Sequence, residues 1–159
     1  MSEHRFTVQA SWVGGLAGSG EVRSEGLRTT YSIPANMGGP GAGSNPEELL
    51  IAAASSCYLI TLAVMLGKAG VTYESLAVMS EGEVLFDKGL QFVRLVHRPR
   101  IELPDTATES DRAAALSAAA QAEKGCMVSR AMHGNVEVRV EPELVLAPGT
   151  ELPRRRVSG

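Results

Sequence analysis

The stretch that decides the fold is NPEELLIAAASSCYLITLAVMLG, residues 45–67. Asn45 is a good helix N-cap and Pro46 suits the first helical position. Glu48 stands three residues after the cap, where its carboxylate can reach back to the Asn45 amide. From Leu49 to Leu66 no residue is charged, and the large apolar side chains fall on every side of a helical wheel, so the helix is expected to be buried. Ala52, Ala53, Ala54, Ser55 and Ser56 let other backbone approach closely just before Cys57, and Gly67 and Gly70 supply stop signals. The uncharged run is 18 residues, at the lower edge of a membrane span. Its serines, its acidic mouth at Glu47 and Glu48, and the amphipathic segments around it favour a core helix over a membrane one.

Working towards the N-terminus, Pro34 to Ser44 is rich in Gly and Pro and reads as a loop leading into the helix. Its glycines resemble a phosphate loop, but no Lys follows and two glutamates at the helix mouth would repel an anion. Phe6, Val8, Ala10 and Trp12 alternate with polar residues, which is strand periodicity. Glu21 to Ser24 and Leu27 to Ile33 read as two further strands, giving three antiparallel strands before the helix. Working towards the C-terminus, Ser75 to Phe86 and Leu90 to Leu103 form a hairpin around Asp87-Lys88-Gly89. An Ala-rich helix over 106–124, a break at Gly125, a short helix over 126–132 and a strand over 135–140 follow. The order β-β-β-α-β-β-α-α-β, dominated by hairpins, predicts an α+β fold with a mostly antiparallel sheet. A domain over 1–142 and a flexible tail over 143–159, with Arg154-Arg155-Arg156, are expected. One sheet covers only one side of so apolar a helix, so a homodimer is expected to bury the other.

With 159 residues the chain is one domain's worth and needs no disulfide for stability. A net charge of −3 excludes nucleic acid or an anionic membrane recognised by bulk charge. The N-terminus shows no cleavable signal pattern, so a cytoplasmic location is expected, where two cysteines stay reduced. His4, His97 and His133 show no metal-ligand spacing with either cysteine, and Ser55 and Ser56 lack the glycines of a nucleophile elbow. Cys57 and Cys126 are the strongest candidates for chemistry, set against the usual role of a free cysteine as a small, inert buried group. Cys126 opens a short helix, where free amides favour a thiolate; Cys57 lies mid-helix and needs a cation from elsewhere to be reactive.

Asn45-Pro46-Glu47-Glu48-Leu49, then Ala52-Ala53-Ala54-Ser55-Ser56-Cys57, with the distant Gly125-Cys126-Met127-Val128-Ser129, resembles the OsmC/Ohr family of thiol peroxidases. The resemblance implies an intertwined homodimer and an antioxidant, stress-response enzyme acting on organic hydroperoxides. Cys57 would be the peroxidatic thiolate and Cys126 the resolving thiol, closing a disulfide that a small dithiol of the lipoyl type reduces, with no bound cofactor or metal. Glu47 matches the family glutamate that pairs with an activating arginine; ten positions from Cys57, about 15 Å of helical rise, it would serve the partner's site. The family arginine on the loop after the first strand is missing, since residues 14–20 read GGLAGSG. Arg23 and Arg28 are left to supply a cation, against the solvent-facing ion-pair role usual for strand arginines. Without a cation the alternative is a relative that binds a small apolar ligand or senses thiol redox state in the same cleft. Met127 stands where the family usually has proline.

Overall fold

The computed structural model describes residues 2–148. The chain forms two compact units, one up to Ala52 and one from Ala53 onward. In the first, β1 (Gln9–Val13), β2 (Ser19–Arg23) and β3 (Arg28–Ser32) make an antiparallel sheet in the order β1-β2-β3. Gly14 takes a positive φ of 93° in the β1–β2 turn, the left-handed region glycine tolerates. Tyr31 stacks at a tilt on Trp12, ring centroids 5.5 Å apart, and its hydroxyl donates to the Ser11 carbonyl at 3.0 Å. The Gly-rich loop folds back on β3: the Ser32 amide donates to the Ser44 carbonyl at 3.0 Å, and the Ala42 amide to Ser32 Oγ at 2.7 Å.

The long helix α1 (Pro46–Lys68) begins as its sequence directs, with the Glu48 amide donating to Asn45 Oδ1 at 2.8 Å. The Glu48 carboxylate, however, accepts from the Ser44 hydroxyl at 2.8 Å instead of closing a capping box. The helix passes through Gly67 and stops at Gly70, which has φ 69° while Val71 donates back to the Leu66 carbonyl at 3.0 Å. Gly67 stays helical because only the residue after the last turn needs the left-handed conformation. α1 is long and apolar enough to cross a membrane, as a core helix can also be. Here Tyr58, Leu62 and Leu66 sit at the centre of the second unit's core, so one face is buried and not every side. Ile60 remains 68% exposed and Val64 49%.

In the second unit β4 (Ser75–Phe86) pairs antiparallel with β5 (Leu90–Leu103) around a turn in which Lys88 has φ 55°. α2 (Glu109–Gly125) starts from a capping box in which Thr108 and Asp111 satisfy each other's amides. Its alanines Ala115, Ala118, Ala119 and Ala122 pack against α1 residues and against Ile101 and Leu103. α3 (Met127–Met132) follows at once. The expected last strand, β6 (Glu137–Val140), runs parallel to Arg94–His97, and a seventh, β7 (Glu143–Leu146), follows it and runs parallel to Arg100–Leu103.

The chain thus does not leave the fold at 142. Pro142 falls between β6 and β7, where no ladder hydrogen bond is required of it; β5, at 14 residues, still has a free edge beyond β6. Leu144 then packs against the core cluster. The rest of the expected tail, from 149 on, lies outside the described residues. The fold is α+β with antiparallel pairs in the majority, and its last two strands are parallel.

Candidate active site

The second unit brings the two cysteines together through a close helix approach. Gly125 ends α2 against α1: a Cβ there would lie 3.2 Å from Thr61 Cγ2 and 3.1 Å from Met65 Cε. Thr61 is one turn after Cys57 and donates its hydroxyl to the Cys57 carbonyl at 2.8 Å. Cys126 therefore arrives beside Cys57, buried, at the junction where α2 stops and α3 starts. Its extended backbone (φ −69°, ψ 121°) breaks the helix, and its sulfur accepts from the Ser129 amide at 3.5 Å.

The two free thiols differ in acidity for reasons visible in their neighbours. Burial alone would raise the Cys57 pKa. Hydrogen bonds from the Cys126 thiol and the Val128 and Met127 amides outweigh burial and pull it below its ordinary value, with the smallest share from Thr61, whose one hydroxyl proton points mainly at the Cys57 carbonyl. Cys126 moves the other way, first through burial and then because it donates its proton toward Cys57. The pair is one acidic thiol held by one proton donor. An arrangement of this kind lets one sulfur act as nucleophile while the other waits.

Glu47 sits in the first turn of α1, ten positions and about 15 Å of helical rise before Cys57. Its Oε2 is buried with no hydrogen-bond partner among the described residues. Arg23 and Arg28 are each held within the first sheet: Arg23 Nε donates to Gln9 Oε1 at 3.0 Å, and Arg28 Nε to Glu21 Oε2 at 3.0 Å. The groups that lower the Cys57 pKa all come from α1, from Cys126 and from the start of α3. No group of three or more His, Cys, Asp or Glu that could hold a metal occurs among the described residues.

The sequence reading missed several participants. His97 is fully buried on the helix-facing side of β5, with Nδ1 2.7 Å from Ser80 Oγ, which in turn lies 2.8 Å from Ser55 Oγ of α1. Its ring stacks on Tyr58, the neighbour of Cys57, at 4.8 Å and 16°. Burial lowers its pKa, so it sits as a neutral imidazole. A signal was present: Leu95, His97, Ile101 and Leu103 share one face of an alternating strand, and a histidine there needs a buried partner. Thr61, one turn from Cys57, was legible by helical spacing. The free amides at the start of α3 were legible too, but were expected to favour a thiolate at Cys126; the fold turns the Met127 and Val128 amides on Cys57, and burial raises the Cys126 pKa instead.

The family model described as OsmC-like protein matches residues 39–141. YmaD, an uncharacterized protein of Bacillus subtilis (strain 168), is 42% identical over 147 residues, 92% of this chain and 98% of its own length. Peroxiredoxin OsmC of Escherichia coli (strain K12) is 28% identical over 132 residues, 80% of this chain and 90% of that one. Among solved structures, an OsmC-like protein of unknown function from Vibrio cholerae superposes with TM-score 0.73 at 19% identity, covering 90% of this chain and all of that one. An organic hydroperoxide resistance protein OsmC from Legionella pneumophila gives TM-score 0.70 at 24% identity, over 89% of this chain and 99% of that one. A family match that spans Glu47, Cys57 and Cys126 in one stretch, joined to a near-full-length relative at 42% identity, establishes that this chain belongs to the OsmC-like family.

Proposed function

We propose that the chain is a two-cysteine thiol peroxidase that reduces organic hydroperoxides to alcohols. The observation that supports it most directly is the paired thiol geometry: an acidified Cys57 faces the proton-donating Cys126. Relatives named peroxiredoxin and organic hydroperoxide resistance protein support the same reading. The Cys57 thiolate attacks the terminal peroxide oxygen. The O–O bond breaks, Cys57 becomes a sulfenic acid, and the alkoxide leaves with a proton as the alcohol. Cys126 then attacks the Cys57 sulfur; an S–S bond forms, the S–O bond breaks and water leaves. A small dithiol of the lipoyl type reduces the disulfide by exchange and is itself oxidised. Among the described residues, hydrogen-bond donors and no arginine are what lowers the Cys57 pKa, in place of the cation expected from the sequence.

A homodimer fits the uncovered side of α1, with Glu47 of one protomer serving the site of the other, and a cytoplasmic setting fits two free thiols. The test is mass spectrometry of the reduced protein after mixing with stoichiometric cumene hydroperoxide, beside Cys57→Ser. The expected result is rapid loss of two hydrogens and a Cys57–Cys126 bridge, absent from the variant. Survival of both thiols would overturn the reading in favour of a protein that binds a small apolar ligand.

A further inference from the structure

Ser129 is three residues after Cys126 and 2% exposed. Its amide already donates to the Cys126 sulfur at 3.5 Å, yet its hydroxyl oxygen, buried as well, has no hydrogen-bond partner among the described residues. A buried hydroxyl without a partner is unfavourable and calls for an explanation. A neutral thiol sulfur is a weak acceptor, whereas a thiolate is a strong one. The Ser129 side chain stands beside the Cys126 sulfur and favours its charged form, so the thiolate is the acceptor best placed to take up that hydroxyl.

We propose that Ser129 is a catalytic residue of disulfide closure: its hydroxyl donates to the Cys126 sulfur as that sulfur ionises, and so readies it to attack oxidised Cys57. The assignment rests on the two-cysteine reading above. In the reduced protein Cys126 keeps its proton because it is buried and because it donates to the Cys57 sulfur. Once Cys57 is a sulfenic acid, the anion opposite Cys126 is gone, and the hydrogen bond that held the proton on Cys126 goes with it. Burial is then opposed by the Ser129 side chain and the Ser129 and Val128 amides, all of which favour the thiolate. Ionisation of the second thiol is thus timed by oxidation of the first. The Cys126 thiolate displaces hydroxide from Cys57, and the hydroxide leaves as water with the proton Cys126 gave up. Oxidation and closure balance with the hydroperoxide as the sole oxidant.

The experiment is rapid-quench mass spectrometry of reduced protein mixed with cumene hydroperoxide across a pH series, with dimedone to trap the sulfenic acid, for wild type, Ser129→Ala and Ser129→Thr. Loss of one charge-assisted hydrogen bond predicts that Ser129→Ala closes the disulfide about tenfold or more slowly relative to its own oxidation step. Dimedone adduct accumulates in this variant, and the pH midpoint of closure moves up. Ser129→Thr, which keeps the hydroxyl, restores most of the rate. Closure in Ser129→Ala as fast as in wild type, equal slowing of both steps, or a threonine variant no better than alanine would overturn the assignment. Wild-type protein that forms sulfenic acid but no bridge would overturn the two-cysteine reading and this assignment together; a wild type that closes normally beside an unaltered alanine variant overturns this assignment alone.

Discussion

Cys57 titrates under opposed influences: burial resists the thiolate, and four hydrogen-bond donors favour it. The Cys126 thiol leads those donors, ahead of the Val128 and Met127 amides and Thr61. Removing that donor while leaving the amides in place isolates its share. Donors stabilise the charged form, so their loss raises the pKa and leaves less thiolate at a given pH. Cys126→Ala is therefore expected to move the pH midpoint of Cys57 alkylation by iodoacetamide upward, and Cys126→Ser, which keeps a hydroxyl donor, to move it less. Equal midpoints in all three proteins would show that the amides and Thr61 suffice.

Beside their apolar packing, α1 and the β4–β5 hairpin share a polar tie that runs from Ser55 through Ser80 to His97, with the His97 ring on Tyr58. His97 holds its proton less tightly in the folded protein than in the unfolded chain, where its pKa is about 6.5. Below that value the unfolded chain binds more protons, so folding stability falls as pH drops through about 6.5 and continues to fall until the depressed folded pKa is reached. His97→Asn keeps a partner for Ser80 but does not titrate. Urea denaturation at about pH 7.5 and about pH 5 should show a smaller acid loss in the variant, which is itself less stable by about 1–3 kcal/mol at the higher pH through the lost stack and volume. Equal acid losses would place the sensitivity elsewhere. What the sequence reveals follows from how local each signal is. The cap at Asn45, the turn at Asp87-Lys88-Gly89 and the break at Gly125 are fixed within a few residues, and all were readable. The parallel seats of β6 and β7 on β5 depend on partners some 40 residues away, so Pro142 looked like an end when it is a joint. The two cysteines were legible as a pair through family resemblance, whereas their proton donors depend on α2 and α3 meeting α1.

For the molecule as a whole, each compact unit taken by itself leaves apolar surface uncovered. In the first, all five residues of β1 are exposed, and Trp12, Val13 and Leu16 face no core. In the second, α1 exposes Ile60 and Val64 from within a run that carries no charge. Uncovered apolar area of this kind marks an interface, and a two-fold contact between identical chains covers the same patch twice. Sedimentation equilibrium is expected to give a mass twice the chain's 16.8 kDa. Ile60→Glu removes an apolar contact of about 1.5–3 kcal/mol and adds a charge to be desolvated, so the dimer should weaken by at least about tenfold. If Glu47 serves the partner's site, that variant also loses peroxide turnover in proportion to its dissociated fraction, and raising the protein concentration restores it. A wild type that sediments at the mass of one chain while keeping full turnover would leave α1 bare and require Cys57 to work without Glu47.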